Sequence, residues 1–321
     1  MSRAPPRAGP PHRGGDRGPC GGSRLRPARP NTMGLKRAQS GRRERPRETI
    51  MSYASIVVSL DTGPETGDRV RLAADLARRF EATLTGVAAR RVPAPAAVND
   101  FRDAEAIFAR EEARLREELA QVRAAFEREA GEGVPTAWCS AAAHALPVLV
   151  QQARSADLVV VGRPGSGDAD PGEMGVEPGP VLMEAGRPVL VVPPGIDRLR
   201  AARVVVAWKD RPEARRAVSG ALPFITAADQ VFVATAGAEA RFEGAEDVAG
   251  HLARHGAHVT AHFLTCHARS AADEILRFAE RQDADLVVMG AYGHSRLREW
   301  MFGGATHDAL RTAPLCLLMS H

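Results

Sequence analysis

The sequence contains itself twice. ADLVVVGRPG at 156–165 recurs as ADLVVMGAYG at 284–293, an offset of 128, and GRPVLVV at 186–192 is matched by TAPLCLL at 312–318, an offset of 126. A direct repeat at this spacing means that one folding unit is used twice along the chain. Ahead of its last strand-like run each copy carries a short apolar run that ends in glycine, too short to cross a membrane and suited to a strand buried on both faces.

The stretches between these runs alternate between two periods. In the first copy SIVVSLD (55–61), ATLTGVAA (82–89) and residues 134–139 have strand character. Residues 68–80 place Val70, Leu72, Ala73, Leu76, Ala77 and Phe80 near one helical face, a Glu- and Arg-dense helix is expected around 98–130, and a third helix covers 143–155. The second copy repeats the order. RVVVAWKD (203–210), DQVFVATA (229–236) and HVTAHFLT (258–265) are strands. PEARRAVSGALP (212–223), EGAEDVAGHLARHG (243–256) and ADEILRFAERQ (272–282) are helices, with Pro212 in a first turn and Gly256 closing the second helix.

The expected fold is α/β: two tandem, doubly wound, Rossmann-like parallel sheets of five strands each, with right-handed crossovers and helices on both faces. The domain boundaries fall at 52–195 and 201–321, with a short hinge from Gly195 to Arg200. Residues 1–51 stand apart as a basic tail or an over-extended start, since Met33 and Met51 are both in-frame methionines and Met51 directly precedes the first strand. The first 50 residues are rich in Arg, Pro and Gly and have too little apolar surface to offset the entropy of ordering.

Charge excludes one class of function. The first 50 residues carry 13 Lys/Arg against 3 Asp/Glu, a net of +10, whereas the other 271 carry 30 against 36, a net of −6. The pI of about 9.2 therefore reflects the tail. A mildly acidic fold with 5% aromatics offers neither a phosphate-tracking face nor a stacking platform, so nucleic acid is not expected as a partner. Cys20, Cys139, Cys266 and Cys316 show no C-x-x-C spacing, and two lie in strand-like runs. That pattern suits a reducing, cytoplasmic setting. No apolar run approaches the length of a membrane span, so no membrane role is expected.

Chemistry concentrates at 284–306. After the strand come Gly290, Gly293 and, nine residues on, Gly303-Gly304; Thr306 then leads into a helix-like segment that stops before Pro314. A strand, a glycine-hinged loop and a helix N-terminus form an arrangement that suits phosphate, because the first N–H groups of the helix have no intrahelical partner. In such sheets ligands sit outside the carboxyl ends of the strands, where this loop falls.

From MGAYGHSRLREWMFGGATHDALRTAPLCLLMSH, the chain resembles the universal stress protein A family over residues 52–321, most strongly in 203–321. The family's nucleotide-binding members carry Gly-x2-Gly-x9-Gly followed by Ser or Thr. The resemblance implies the adenine-nucleotide alpha-hydrolase-like fold and, in one branch, binding of ATP with Mg2+; it implies no defined reaction beyond weak ATP hydrolysis at most. Site residues implied in the second copy are Ala207, Trp208, Lys209 and Asp210 at the end of its first strand. The others are Met289, Gly290, Gly293, His294, Gly303, Gly304, Ala305 and Thr306 in the loop and the start of the next helix. Two positions depart from the family. Gly304 stands where a hydroxyl residue is usual, leaving Thr306 as the second hydroxyl, and Lys209 stands where the family places an Asp that holds adenine or ribose. The first copy keeps Asp61, Gly162 and Gly165, but its return loop lacks the nine-residue spacing, so it is expected to be a degenerate site.

Weaker constellations remain. His251, His255, His258, His262 and His267 fall within 17 residues, a pattern better read as a solvated helix beside polar strand residues than as a metal centre. Trp208 and Trp300 are placed to stack on a base or to pack. Neither G-x-G-x-x-G nor G-x-x-x-x-G-K-[ST] occurs, and no His, carboxylate and hydroxyl trio is spaced for catalysis. Two functions stay open: a stress-response regulator that binds an adenine nucleotide and acts by conformation or dimerisation, and an interaction module that keeps the loop for its geometry. The final strands are expected either to pair between two chains or to pair with each other inside one chain as a pseudo-dimer.

Overall fold

The computed structural model describes residues 52–93, 101–163, 172–237, 240–265, 270–293 and 305–321, all within one compact unit running Glu48–His321. The first repeat supplies β1 (Ser55–Ser59), α1 (Thr66–Phe80), β2 (Thr83–Ala89), α2 (Phe101–Ala130), β3 (Thr136–Ala141), α3 (Ala145–Ala153), β4 (Leu158–Gly162), α4 (Pro178–Glu184) and β5 (Val189–Val192). The second supplies β6 (Arg203–Ala207), α5 (Pro212–Gly220), α6 (Leu222–Ile225), β7 (Gln230–Ala236), α7 (Ala245–Arg254), β8 (Val259–Leu264), α8 (Ala271–Arg281), β9 (Leu286–Gly290), α9 (Ala305–Thr312) and β10 (Cys316–Ser320).

The expected helix at 212–223 is two pieces. Ala221 ends the first with backbone N–H bonds to Ala217 and Val218, and Pro223, which lacks an N–H, sits in the short second piece. No described helix is long and apolar enough to cross a membrane.

Both five-stranded halves are parallel, as the repeat implied. They are also joined. Among the described residues the strands form one ten-stranded sheet in the order β3-β2-β1-β4-β5-β10-β9-β6-β7-β8. At its centre β5 and β10 run antiparallel, with Leu317 opposite Val191, Leu318 opposite Leu190 and Met319 opposite Val189. The two final strands therefore satisfy each other within one chain, and the edges of the sheet are β3 and β8.

Strand side chains alternate between two apolar layers, as the pleat requires. Ile56, Val58, Leu158, Val160, Val204 and Val206 pack with α1, α2, α5, α6 and α7 on one face. Val57, Val159, Val161, Val205 and Val287 pack with α3, α4, α8 and α9 on the other. Each layer crosses the boundary between the repeats. Tyr53 and Phe80 of the first repeat meet Phe224 of the second at ring separations of 5.5 and 5.4 Å.

In each half the first strand lies between the second and the fourth, β1 between β2 and β4 and β6 between β7 and β9. Strand order reverses at β1 and at β6, which opens a crevice beyond their carboxyl ends.

Candidate functional site

In the second repeat the loop after β9 is held between two helix starts. A methyl group on Gly290 would lie 2.6 Å from the backbone nitrogen of Ala214 and 2.9 Å from the carbonyl carbon of Glu213, so this glycine lets the loop touch the first turn of α5. Arg211, at the N-cap of α5, makes no side-chain capping bond, and Pro212 follows at the start of the helix. On the other side, the Thr306 hydroxyl accepts a hydrogen bond of 3.2 Å from the backbone N–H of Tyr292, tying the first turn of α9 to the loop. Two helix N-termini thus flank Gly290–Gly293, and each brings partial positive charge. Among the described residues, nothing lies within 4 Å of a methyl group placed on Gly293.

Between these glycines Tyr292 adopts φ +50°, the left-handed region that disfavours side chains with a Cβ. Its hydroxyl lies against Gly179 of α4, where a methyl group would be 2.6 Å away. The loop of the second repeat thereby leans on a helix of the first.

At the end of β6 the Trp208 and Asp210 side chains are engaged within the protein. Trp208 is 7% exposed, and its indole Nε1 donates to the carbonyl of Glu243 at 2.6 Å, so it packs and is not free to stack on a base. Asp210 pairs with Arg215 at 2.5 Å, and its N–H donates to the Glu243 carboxylate at 2.7 Å. Lys209 is exposed at the rim, and Ala207 and Met289 are half-buried in the strands behind it. Glu213 occupies the first turn of α5, and among the described residues its buried Oε2 has no hydrogen-bond partner. Thr306 is buried, and its oxygen already serves the loop backbone. His294, Gly303, Gly304 and Trp300 lie outside the described residues, and of Ala305 only the backbone is described, as the first residue of α9.

The first repeat presents the same crevice with a different occupant. Asp61 accepts from the Thr66 hydroxyl and from the N–H of Gly63 at 2.9 Å through Oδ1, and Oδ2 binds Arg69 Nη2 at 2.5 Å. Arg69 also donates through Nε to the carbonyl of Ser59 at 3.0 Å and through Nη2 to Thr66 at 3.2 Å. A methyl group on Gly162, the counterpart of Gly290, would collide with Arg69 Nη1. The guanidinium is 5% exposed on its side chain and covers the glycine at the end of β4.

Sequence reasoning passed over Arg69, yet a signal was there. It lies three and four residues before Leu72 and Ala73 on the apolar stripe of α1, and a buried arginine requires a carboxylate within reach. Nothing in the sequence marks Tyr292, because a left-handed tyrosine has no local pattern. Gly165, the next glycine of the first repeat, lies outside the described residues.

The histidines spread out. His251 and His255 meet edge to face at 4.7 Å at the end of α7, while His262 on β8 contacts Phe232 and Phe278 and bonds Thr260 at 2.9 Å. Burial lowers the His262 pKa from its ordinary value of 6.5. His267 lies outside the described residues, and among those described no three His, Cys, Asp or Glu side chains gather as a metal set.

Two doubly wound α/β units, each with its crevice at the strand switch and a glycine after the fourth strand, define a tandem protein of the Rossmann-like class. The chain belongs to the universal stress protein family, whose model matches residues 52–193 and again 223–321. Among solved structures, a universal stress protein from Archaeoglobus fulgidus DSM 4304 is similar over 82% of this chain and 97% of that one, with 14% identity and a TM-score of 0.59, a likeness of fold. A functionally unknown protein from Pseudomonas aeruginosa PAO1 is similar over 83% and 92%, with 18% identity and a TM-score of 0.48. A universal stress protein solved in complex with cAMP is similar over 44% and 97%, with 21% identity and a TM-score of 0.30. No curated protein matches the sequence.

Proposed function

We propose that the second repeat binds an adenine nucleotide, ATP with Mg2+ in the first instance, and that the protein acts as a stress-response regulator through the conformation this binding selects. The observation that carries the reading is the convergence of the α5 and α9 N-termini on the Gly290–Gly293 segment at the switch point beside β6. Backbone N–H groups and two helix dipoles there suit phosphate, and Lys209 at the rim adds a cation. Whichever residues recognise the base, Trp208 and Asp210 are already engaged within the protein. Regulation by conformation is favoured over dimerisation through the final strands, because β5 and β10 already pair with each other.

A second reading has its own support. Glu213 places a carboxylate beside the loop, and Asp210 is tied to Arg215, as they would be in an interaction module that keeps the loop only for its shape.

Thermal unfolding with ATP, ADP and AMP in magnesium distinguishes the two. Free ligand at 100 times its Kd adds about 2.7 kcal/mol of stability. Gly293→Trp should abolish that gain while circular dichroism reports an intact fold, since no described atom stands within 4 Å of a Cβ added there. An unchanged midpoint for the wild-type protein in millimolar ATP favours the interaction module.

A further inference from the structure

The two crevices differ in one buried cation. Counted from the end of the first strand Asp61 corresponds to Lys209, and counted from the start of the helix after it Arg69 corresponds to Arg215. In the first repeat the strand-end carboxylate and the helix arginine form a closed pair that covers Gly162. In the second, Arg215 is exposed and pairs with the exposed Asp210. The loop glycine instead meets the backbone of α5 directly.

We propose that Arg69 holds the first crevice shut, so that the chain offers one nucleotide site where its two repeats would otherwise offer two. At the end of β1 the Asp61 carboxylate and the Arg69 guanidinium are already engaged with each other and with their neighbours. Asp61 Oδ1 serves Thr66 and Gly63, Oδ2 serves Arg69, and the guanidinium fills the space over Gly162. A ligand would have to displace a 5%-exposed arginine with contacts to Asp61, Thr66 and the Ser59 carbonyl, and it would leave a buried carboxylate without its counter-charge. The retained Asp61 is therefore a partner for Arg69 and does not signal binding. In this arrangement Arg69 determines which repeat accepts ligand without contacting ligand itself.

This inference rests on reading the crevice as a nucleotide site, and the experiment separates the two claims. Equilibrium dialysis with labelled ATP and magnesium counts nucleotide per chain in the wild-type protein and in Arg69→Ala, with circular dichroism to confirm folding. The expected counts are one and two, and adding Gly293→Trp to Arg69→Ala should leave one, at the first repeat. Counts of zero for the wild type and one for Arg69→Ala would uphold the closure and sink the second-repeat reading. A folded variant with the wild-type count overturns the closure, as does a wild-type protein that binds two. Should the unpaired Asp61 prevent folding, the double variant Asp61→Asn with Arg69→Ala removes the buried charge, and its count is judged by the same rule.

Discussion

The Tyr53 hydroxyl, ahead of the first strand, donates a 2.6 Å hydrogen bond to the carbonyl of Gly220 at the end of α5, bridging the repeats across 167 residues of chain. Its ring also packs on Phe80 and Phe224. Tyr53→Phe keeps the packing and removes the bond, leaving a carbonyl short of its partner, and should cost about 0.5–1.5 kcal/mol in urea unfolding. Burial, and then the Asp157 charge, push the phenol pKa above its ordinary value of 10. A group held neutral in the native state contributes stability that is intact below its unfolded pKa and is lost as pH rises beyond it. The wild-type protein should therefore weaken above pH 10 more steeply than Tyr53→Phe; equal slopes would argue against a buried neutral phenol.

Leu190 and Leu318 face each other in the antiparallel pair that joins the halves, and both are fully buried. Truncating either to Ala should destabilise by about 2–5 kcal/mol through lost apolar contact and a residual cavity. Because the sheet and both apolar layers run through this boundary, chemical denaturation should show one transition for the whole pair of repeats. Two resolved transitions by fluorescence and circular dichroism would mean that the halves fold separately.

Gly290 and Gly293 should respond in opposite ways. A methyl group on Gly290 drives into the α5 backbone, so Gly290→Ala should lower stability by about 1–3 kcal/mol even without ligand. A methyl group on Gly293 meets no described atom within 4 Å, so Gly293→Ala should leave the unliganded midpoint within about 0.5 kcal/mol of wild type. Differential scanning calorimetry reads both, and a stable Gly290→Ala would show that the loop can retreat from the helix.

His262 makes a prediction on the acid side. Burial lowers its pKa from 6.5, so the native state favours the neutral ring packed on Phe232 and Phe278. The unfolded chain then binds its proton first, and stability present above about pH 6.5 declines as pH falls through the lowered value. His262→Gln should flatten the change in urea midpoint between pH 7.5 and 5.5. An unaltered slope would place the acid sensitivity elsewhere.

Cys316 offers a chemical check on the central strand. Burial, with the Asp285 charge adding to it, pushes its thiol up to about 12. Thiol reagents at pH 8 should leave Cys316 unmodified in the native protein and label it on unfolding, since the thiolate is the reactive form. Mass spectrometry of labelled peptides would report it, and rapid native labelling would mean that β10 opens readily.

Much of the fold was legible because it follows from local periodicity. Apolar runs of four or five residues suit buried strands, and their alternation with amphipathic helices implies parallel order and two covered faces. The repeat offset placed the crevices, and the glycine spacing pointed to the loop after β9. The candidate site was less legible. The bonds that Glu243, from the loop after β7, makes with Trp208 and Asp210 had no local signal, because no sequence window links residues 33 to 35 positions apart.

What the sequence by itself determined was the repeated α/β unit, its family resemblance and the position of the glycine loop, all set by residues close together in the chain. Only the tertiary structure decided that the two units share one sheet through β5 and β10, that Gly290 serves helix packing, and that Arg69 fills the first crevice. Those outcomes depend on which buried charge finds a partner and which backbone approaches another. Both are settled by three-dimensional packing between segments whose separation in sequence carries no signal.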